Sequence, residues 1–375
     1  MEGRGGARLI TKTATTFAVA LGSLLAAGCM PAATQRPLVP GQPRDLAHMT
    51  AEGRQAILRR AIVWQPIDTA SLDLKAGPPG PGGFPPDAPV TCDYFAPDDV
   101  VTGMTPKFQC ALTPDDVVKV KYGRKNGEVY SETVATRLFW ALGFGADRIY
   151  PVRVTCRNCP IEPWFYATER RVKEKTYDLA TIERKLAGKK IEAKGEMGWD
   201  WKELDLVDET AGGAPRAHRD ALKLLMVFIQ NSDTKSGQQR MTCPPENVAT
   251  TSGGEETCSR AILYAQDLGY SFGHATLLNL SRVDLEEWEK VPVWKDRAQC
   301  VGHLKRSMIG TLEHPRISEA GRRFLAERLA RLSDPQVHDL FAGARLDRRG
   351  GPGLGEWVRV FKKKRAEIAD HRCPA

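Results

Sequence analysis

Nine cysteines behind an apolar head set the strongest constraint on how this 375-residue chain can fold. They stand at 29, 92, 110, 156, 159, 243, 258, 300 and 373. Residues 1–28 read as a signal peptide. Arg4, Arg8 and Lys12 oppose the single acid Glu2, and an apolar run over 15–27 ends in small residues. That run is too short for a comfortable membrane span. An exported chain folds where thiols oxidise, so the cysteines read as a cross-linking framework. Setting Cys29 aside leaves an even set, which proximity pairs as Cys92–Cys110, Cys156–Cys159, Cys243–Cys258 and Cys300–Cys373. Cys156-Arg-Asn-Cys159 is also open to a redox or zinc half-site reading, although no second CxxC completes it.

Leu24-Leu25-Ala26-Ala27-Gly28-Cys29 resembles a bacterial lipobox, with Ala26 where Leu is usual. The resemblance implies lipidation of Cys29 and anchorage in the cell envelope, on the periplasmic or cell-surface side, with the membrane as a partner. Residues 29–89 are then a tether and linker with one short helix near 49–63. Within it, AGPPGPGGFPPDAP at 76–89 admits neither helix nor strand, because Pro removes donors and Gly carries entropy. The main body is expected to begin near Val90.

In the body, VVKVKY at 117–122 alternates and is β-branched, hence a strand. A helix is expected over 131–142 with Gly143 as its stop. Strands are expected at 149–155 and 164–168, separated by the CxxC turn, then a charged, irregular stretch over 175–214. Residues 216–230 form an amphipathic helix and 261–266 a short strand. From 283 the pattern is mostly helical, clearest over 317–332. The reading is an α+β chain in two lobes, strand-rich over 90–172 and helical over 173–375. The charge, 54 basic against 46 acidic residues for a net +8, is spread along the chain. It suits small anionic ligands and gives no clustered basic face for nucleic acid.

Three segments carry chemistry together. Lys119 and Lys121 alternate along one strand and face the same side, ahead of a helix bearing Glu132. A strand lysine is costly unless paired, and that glutamate could hold an amine toward a phosphate. Next, an apolar helix runs into Asn231-Ser232-Asp233-Thr234-Lys235-Ser236-Gly237-Gln238. This loop supplies a carboxylate to accept a hydroxyl proton, a cation, and a neutral oxygen ligand. Finally, the strand ending in Ala265-Gln266 delivers Asp267-Leu268-Gly269, a carboxylate placed for Mg²⁺.

In these segments the chain resembles the protein-kinase-like fold, in its atypical branch of HipA-like, phosphatidylinositol-kinase-like and secretory-pathway kinases. Asp233-Thr-Lys235-Ser-Gly-Gln238 is similar to the D-x-K-x-x-N catalytic loop, and Asp267-Leu-Gly269 to D-F-G. Gly103-Met-Thr-Pro-Lys107-Phe108 is faintly similar to the HipA-like phosphate loop. The resemblance implies a two-lobed fold that transfers phosphoryl from ATP or another nucleotide, with Mg or Mn, to a hydroxyl on a protein or small molecule. Asp233 would be the base and Lys235 a neutralising cation. Asp267 and Gln238 would hold metal, and Lys119, Lys121, Glu132 and Lys107 would serve the nucleotide. The chain departs from the pattern at Gln238, which replaces Asn, and in a long insertion over 243–260. The second reading is therefore a non-catalytic, pseudokinase lipoprotein that binds or scaffolds. A third, an exported hydrolase using His218 and His274, has no H-E-x-x-H or G-x-S-x-G to support it.

Overall fold

The computed structural model describes residue 46 and residues 49–96, 105–164, 170–193, 197–254, 256–273 and 283–374. Cys29 and the signal-peptide segment, Gly103, His274 and most of the strand expected at 164–168 lie outside the described residues.

Alternating apolar residues build the amino-terminal half as a closed barrel. Its strands are β1 (Pro89–Phe95), β2 (Lys107–Thr113), β3 (Asp116–Tyr122), β4 (Arg148–Pro160) and β5 (Arg171–Arg184), in the order β1–β2–β3–β5–β4. The β1–β4 pair is parallel and the others are antiparallel. Val118, Val120 and Tyr122 of β3 point inward, onto a core with Phe108, Val152, Val154 and Tyr177. The intervening Lys119 and Lys121 therefore point outward. That outer face is covered by α2 (Glu128–Leu142), whose residues are buried almost all round, as befits a helix wedged inside the molecule. Gly143 ends it in the left-handed region at φ 88°.

The carboxy-terminal half has a separate core. Helix α3 (Arg216–Ile229) leads into a small sheet ordered β10–β7–β6, formed by β6 (Lys189–Lys190), β7 (Gln239–Cys243) and β10 (Ile262–Ala265). A hairpin, β8 (Val248–Thr250) and β9 (Glu256–Cys258), lies between the last two strands. After α4 (Leu285–Lys290) and the ribbon β11 (Trp294–Asp296) and β12 (Val301–Gly302) come α5 (Glu319–Ala330), α6 (Asp334–Gly343), α7 (Leu346–Arg349) and α8 (Leu354–Ala369). Phe228, Phe272, Trp288, Phe341, Trp357 and Phe361 pack ring against ring at their centre. The chain is thus α+β, strand-rich first and helical after.

The cysteines join as proximity suggests, with Cα–Cα distances of 5.6 Å for Cys92–Cys110 and Cys156–Cys159, 5.8 Å for Cys243–Cys258 and 5.5 Å for Cys300–Cys373. All fit the disulfide range.

Several expected elements differ. The CxxC is not a turn between strands: β4 runs through both cysteines, with Asn158 taking a positive φ of 49° inside it. Residues 175–184, expected to be irregular, belong to the long strand β5. Arg171, Lys173, Glu174 and Lys175 crowd its first half on both faces, so composition hid the period. The helix expected over 49–63 is α1 (Ala51–Leu58), N-capped by Thr50. Ile62 and Trp64 instead form single bridges to Ile262 and Phe144. The Gly/Pro stretch is a set of turns, as expected, but the segment before it is core. Ile57, Leu58, Ala61, Val63 and Leu74 are buried, and the buried Arg137 binds the carbonyls of Leu74 and Lys75 at 2.9 and 2.8 Å.

A second buried arginine fastens the two halves. Arg345, between α6 and α7, donates to the carbonyls of Val152 at 3.2 Å and Ala180 at 2.5 Å, and to Asp87 at 3.2 Å. Arg345→Ala would strand these acceptors and open a cavity. The expected loss is about 3 kcal/mol, read as a lower urea midpoint, within the range for breaking a buried charge network. A shift under about 0.5 kcal/mol, the range of an inert surface change, would contradict this.

Candidate functional site

The covered face of β3 places a charge where water cannot reach it. Lys121 is 2% exposed, and its Nζ lies 2.7 Å from Glu128 and 2.7 Å from Glu132. The two glutamates sit one helical turn apart on α2, so one side of that helix presents both. Lys119, two residues earlier on β3, pairs with Glu183 on β5, where register sets the two opposite each other. Glu183 also pairs with Lys185, which reaches the buried Asp147 at 3.0 Å. Lys107 is the cross-strand neighbour of Lys121. Burial pushes its amine below the usual lysine value, and the Lys121 charge pushes the same way.

Burial and the surrounding charges shift these groups in opposite directions. Burial raises Glu132 to about 8, with Asp267 and Glu183 adding to the rise against the pull of Lys121. Burial alone would lower Lys121, yet Asp267, Glu128, Glu132 and Glu183 carry it well above its ordinary value, so it stays charged. Asp267 shows the opposite balance. Burial would raise it, but the Lys121 and Lys119 amines and the Gly269 N–H hold it at about 2.

The two acidic loops are stitched to one another. Helix α3 ends at Gln230 in the left-handed region, φ 54°, which turns the chain sharply into residues 231–238. Ser232 N–H donates to Tyr270 O at 3.3 Å, Phe272 N–H to Ile229 O at 2.7 Å and Gln266 N–H to Gln238 O at 2.8 Å. Buried Asn231 donates to Ser271 Oγ at 3.1 Å, while its Oδ1 has no hydrogen-bond partner among the described residues. Asp233 accepts from Lys235 Nζ at 3.0 and 2.8 Å and from Gln238 Nε2 at 2.9 Å. Asp267 accepts from Gly269 N–H at 3.1 Å. Gly269 has to be glycine: a Cβ there would fall 2.6 Å from Glu128 Cγ. Ser131 Oγ donates to the Gly269 carbonyl, binding α2 to this loop.

The site residues that the kinase-like resemblance implies, where they lie within the described chain, belong to one connected region. Lys119, Lys121, Glu132 and Lys107 come from the barrel side, and Asp233, Lys235, Gln238 and Asp267 from the loops after α3 and β10. Sequence reading missed Glu128, Glu183, Lys185 and Asp147. Glu128 was findable, lying four residues before Glu132 on one helix face; Glu183 needs the β3–β5 register, which no local pattern reveals. His218 is not part of the region. Its ring packs between Trp64 at 5.0 Å and Phe324 at 4.4 Å.

A cavity of about 260 Å³ is lined by Lys185, Lys190, Arg240, Met241, Thr242, Tyr264 and Gln266, the residue before Asp267. Its lining takes nothing from the 243–260 insertion, which is closed on itself by Cys243–Cys258. The donors are suited to a hard divalent ion: the Asp267 carboxylate, the Gln238 amide oxygen and the Asn231 Oδ1, unpartnered among the described residues, are all oxygens.

The buried Glu132 carboxyl gives a pH signature. A carboxyl raised from 4.5 to about 8 contributes stability below pH 4.5 that is lost as pH climbs toward 8. Urea unfolding should show wild-type stability falling over that interval, and Glu132→Gln should flatten the fall. Identical profiles for both proteins would contradict the assignment.

No family profile and no curated protein matches the sequence. Among solved structures, the chain is similar to one described as the crystal structure of a Helicobacter pylori proinflammatory kinase, CtkA. The alignment covers 76% of this chain and 96% of the other, at 11% identity and a TM-score of 0.41. A likeness of that degree locates no residue and assigns no activity.

Proposed function

We propose that the chain is an exported, lipid-anchored atypical kinase, transferring a phosphoryl group from a nucleotide to a hydroxyl acceptor. The observation that carries the reading is the meeting of the Lys121–Glu128–Glu132 cluster with Asp267 beside the Asp233 loop. Lys121 would contact the phosphates, oriented by Glu128 and Glu132, with Lys119 and Lys107 adding positive potential. The cavity between β7, β10 and the segment after β5 would take the base.

In the reaction, the acceptor oxygen bonds to the terminal phosphorus while its proton passes to Asp233. The bond from phosphorus to the bridging oxygen breaks, leaving a nucleoside diphosphate. Lys235, already on Asp233, would offset the charge on the transferred oxygens. Asp267, with the Gln238 and Asn231 oxygens, would hold Mg²⁺ or Mn²⁺, which when bound neutralises phosphate charge. Catalysis of this kind is positioning plus electrostatics.

Export is supported by the pairing geometry of eight cysteines, which suits an oxidising compartment, and the anchor at Cys29 is part of the proposal on its lipobox resemblance alone. The non-catalytic lipoprotein reading would need the same cleft without turnover.

Calorimetry with Mn²⁺ and a non-hydrolysable ATP analogue separates the roles. Asp267→Ala should weaken metal–nucleotide binding by about tenfold or more, the effect of losing one charged ligand. Asp233→Asn should leave binding near wild type and cut transfer to a hydroxyl by about 10²–10⁴. Equal affinity in wild type and Asp267→Ala would overturn the metal assignment. Binding without turnover in wild type would favour the pseudokinase reading.

A further inference from the structure

Among the described residues four large apolar side chains are conspicuously exposed, and three of them border the Asp233 loop. Met308 is 91% exposed, Ile309 64% and Met197 61%. Met197 Sδ lies 3.6 Å from where a Cβ on Gly237 would stand. Met308 and Ile309 crown a turn fastened to the loop from both sides. Ser307 N–H donates to Ser232 O at 2.9 Å, Thr311 N–H to Thr234 O at 3.1 Å and Leu312 N–H to Thr234 Oγ1 at 3.1 Å. Arg306 stiffens the turn, donating to the Met308 carbonyl at 3.3 Å and the Gly310 carbonyl at 3.1 Å. An apolar pair held rigidly in water, against a catalytic-type loop, costs free energy unless something covers it.

The same segment opens into a second cavity, of about 380 Å³, through Thr311, Leu312 and Glu313. Five cations line it: Lys202, Arg216, Arg219, Lys223 and Arg316. They outnumber its carboxylates Asp205, Asp220 and Glu313, and Lys202 and Arg316 have no carboxylate partner among the described residues. Ile309 and Glu313 are four residues apart, so lip and cavity lie within about 14 Å, the reach of a few extended residues.

From this juxtaposition we infer that the phosphoryl acceptor is a polypeptide hydroxyl flanked by an apolar residue, with acidic side chains a few residues away. The inference rests on the phosphoryl-transfer reading. The apolar neighbour would cover Met308 and Ile309, and the acidic residues would enter the cation-lined cavity. An anionic membrane fits less well, because three carboxylates interrupt the basic lining and the cations lie in a concavity rather than on a flat face.

Fluorescence anisotropy on the purified full chain tests this. The probe is a labelled synthetic peptide with one serine, an adjacent leucine and three glutamates, made with the glutamates on either side. We expect micromolar affinity for one orientation. The affinity should fall at least tenfold when leucine becomes serine, when the glutamates become lysine, and in the Met308→Ser/Ile309→Ser and Arg316→Glu variants. All these changes are at surface positions, and a melting curve checks folding. Nucleotide-analogue affinity should stay unchanged in the variants. No peptide binding by wild type, or equal binding by the variants, would overturn the proposal. Binding to phosphatidylglycerol vesicles in place of peptide, lost in the double variant, would also overturn it, in favour of a lipid surface. Peptide binding that obeys these rules in a chain that binds no nucleotide would uphold the docking surface and remove the kinase reading.

Discussion

A lysine amine buried on the outer face of a barrel strand organises the molecule around it. An unpaired ammonium in that position would cost several kcal/mol, so the fold has to deliver carboxylates. It delivers them from two directions: Glu128 and Glu132 from the helix that covers the strand, and Asp267 from the loop after β10. Burial drives Glu132 up to about 8, while the Lys121 and Lys119 charges hold Asp267 at about 2. The residues that make burial of Lys121 tolerable are the ones that, under the proposed function, would meet a metal–polyphosphate.

The rest of the structure holds that cluster still. Helix α2 belongs to both halves, packed on the barrel and tied through Ser131 to Gly269. Arg345 reaches from the helical half into barrel carbonyls, and Arg137 fixes the segment before the barrel. Each guanidinium serves several carbonyls, a use to which its fixed fork of donors is suited. Cys92–Cys110 joins β1 to β2, and Cys300–Cys373 ties the chain end to the β11–β12 ribbon. The loop bearing Asp233 is bounded on one side by the 266–272 segment and on the other by the 307–312 turn. Its backbone donors and acceptors are therefore largely spoken for, and its side chains are left to act.

Much of this was legible in the chain, for identifiable reasons. Lys119 and Lys121 share a face because strand side chains alternate, and Glu132 follows on the next helix. The apolar end of α3 announces the Asp233 loop, and the short β10 strand announces Asp267. The cysteine pairs followed from proximity. What stayed hidden depends on distant neighbours. Glu183 meets Lys119 only through the β3–β5 register. β5 was obscured because charges crowd both faces of its first half and read locally as a loop. The CxxC passed for a turn because nothing local reveals that β4 continues through it. Met308 and Ile309 look like ordinary apolar residues in sequence, and only the fold leaves them in water beside the Asp233 loop.

Under the proposed function, one divalent ion and one polyphosphate would share the region between Lys121, Asp267 and the Asp233 loop. Anomalous diffraction from crystals soaked with Mn²⁺ and a non-hydrolysable nucleotide tests it most directly. The account requires a manganese peak at oxygen-ligand distance, about 2.2 Å, from Asp267, with a phosphate oxygen in hydrogen-bond reach of Lys121. A peak bound elsewhere, or a nucleotide seated away from that lysine, would contradict it.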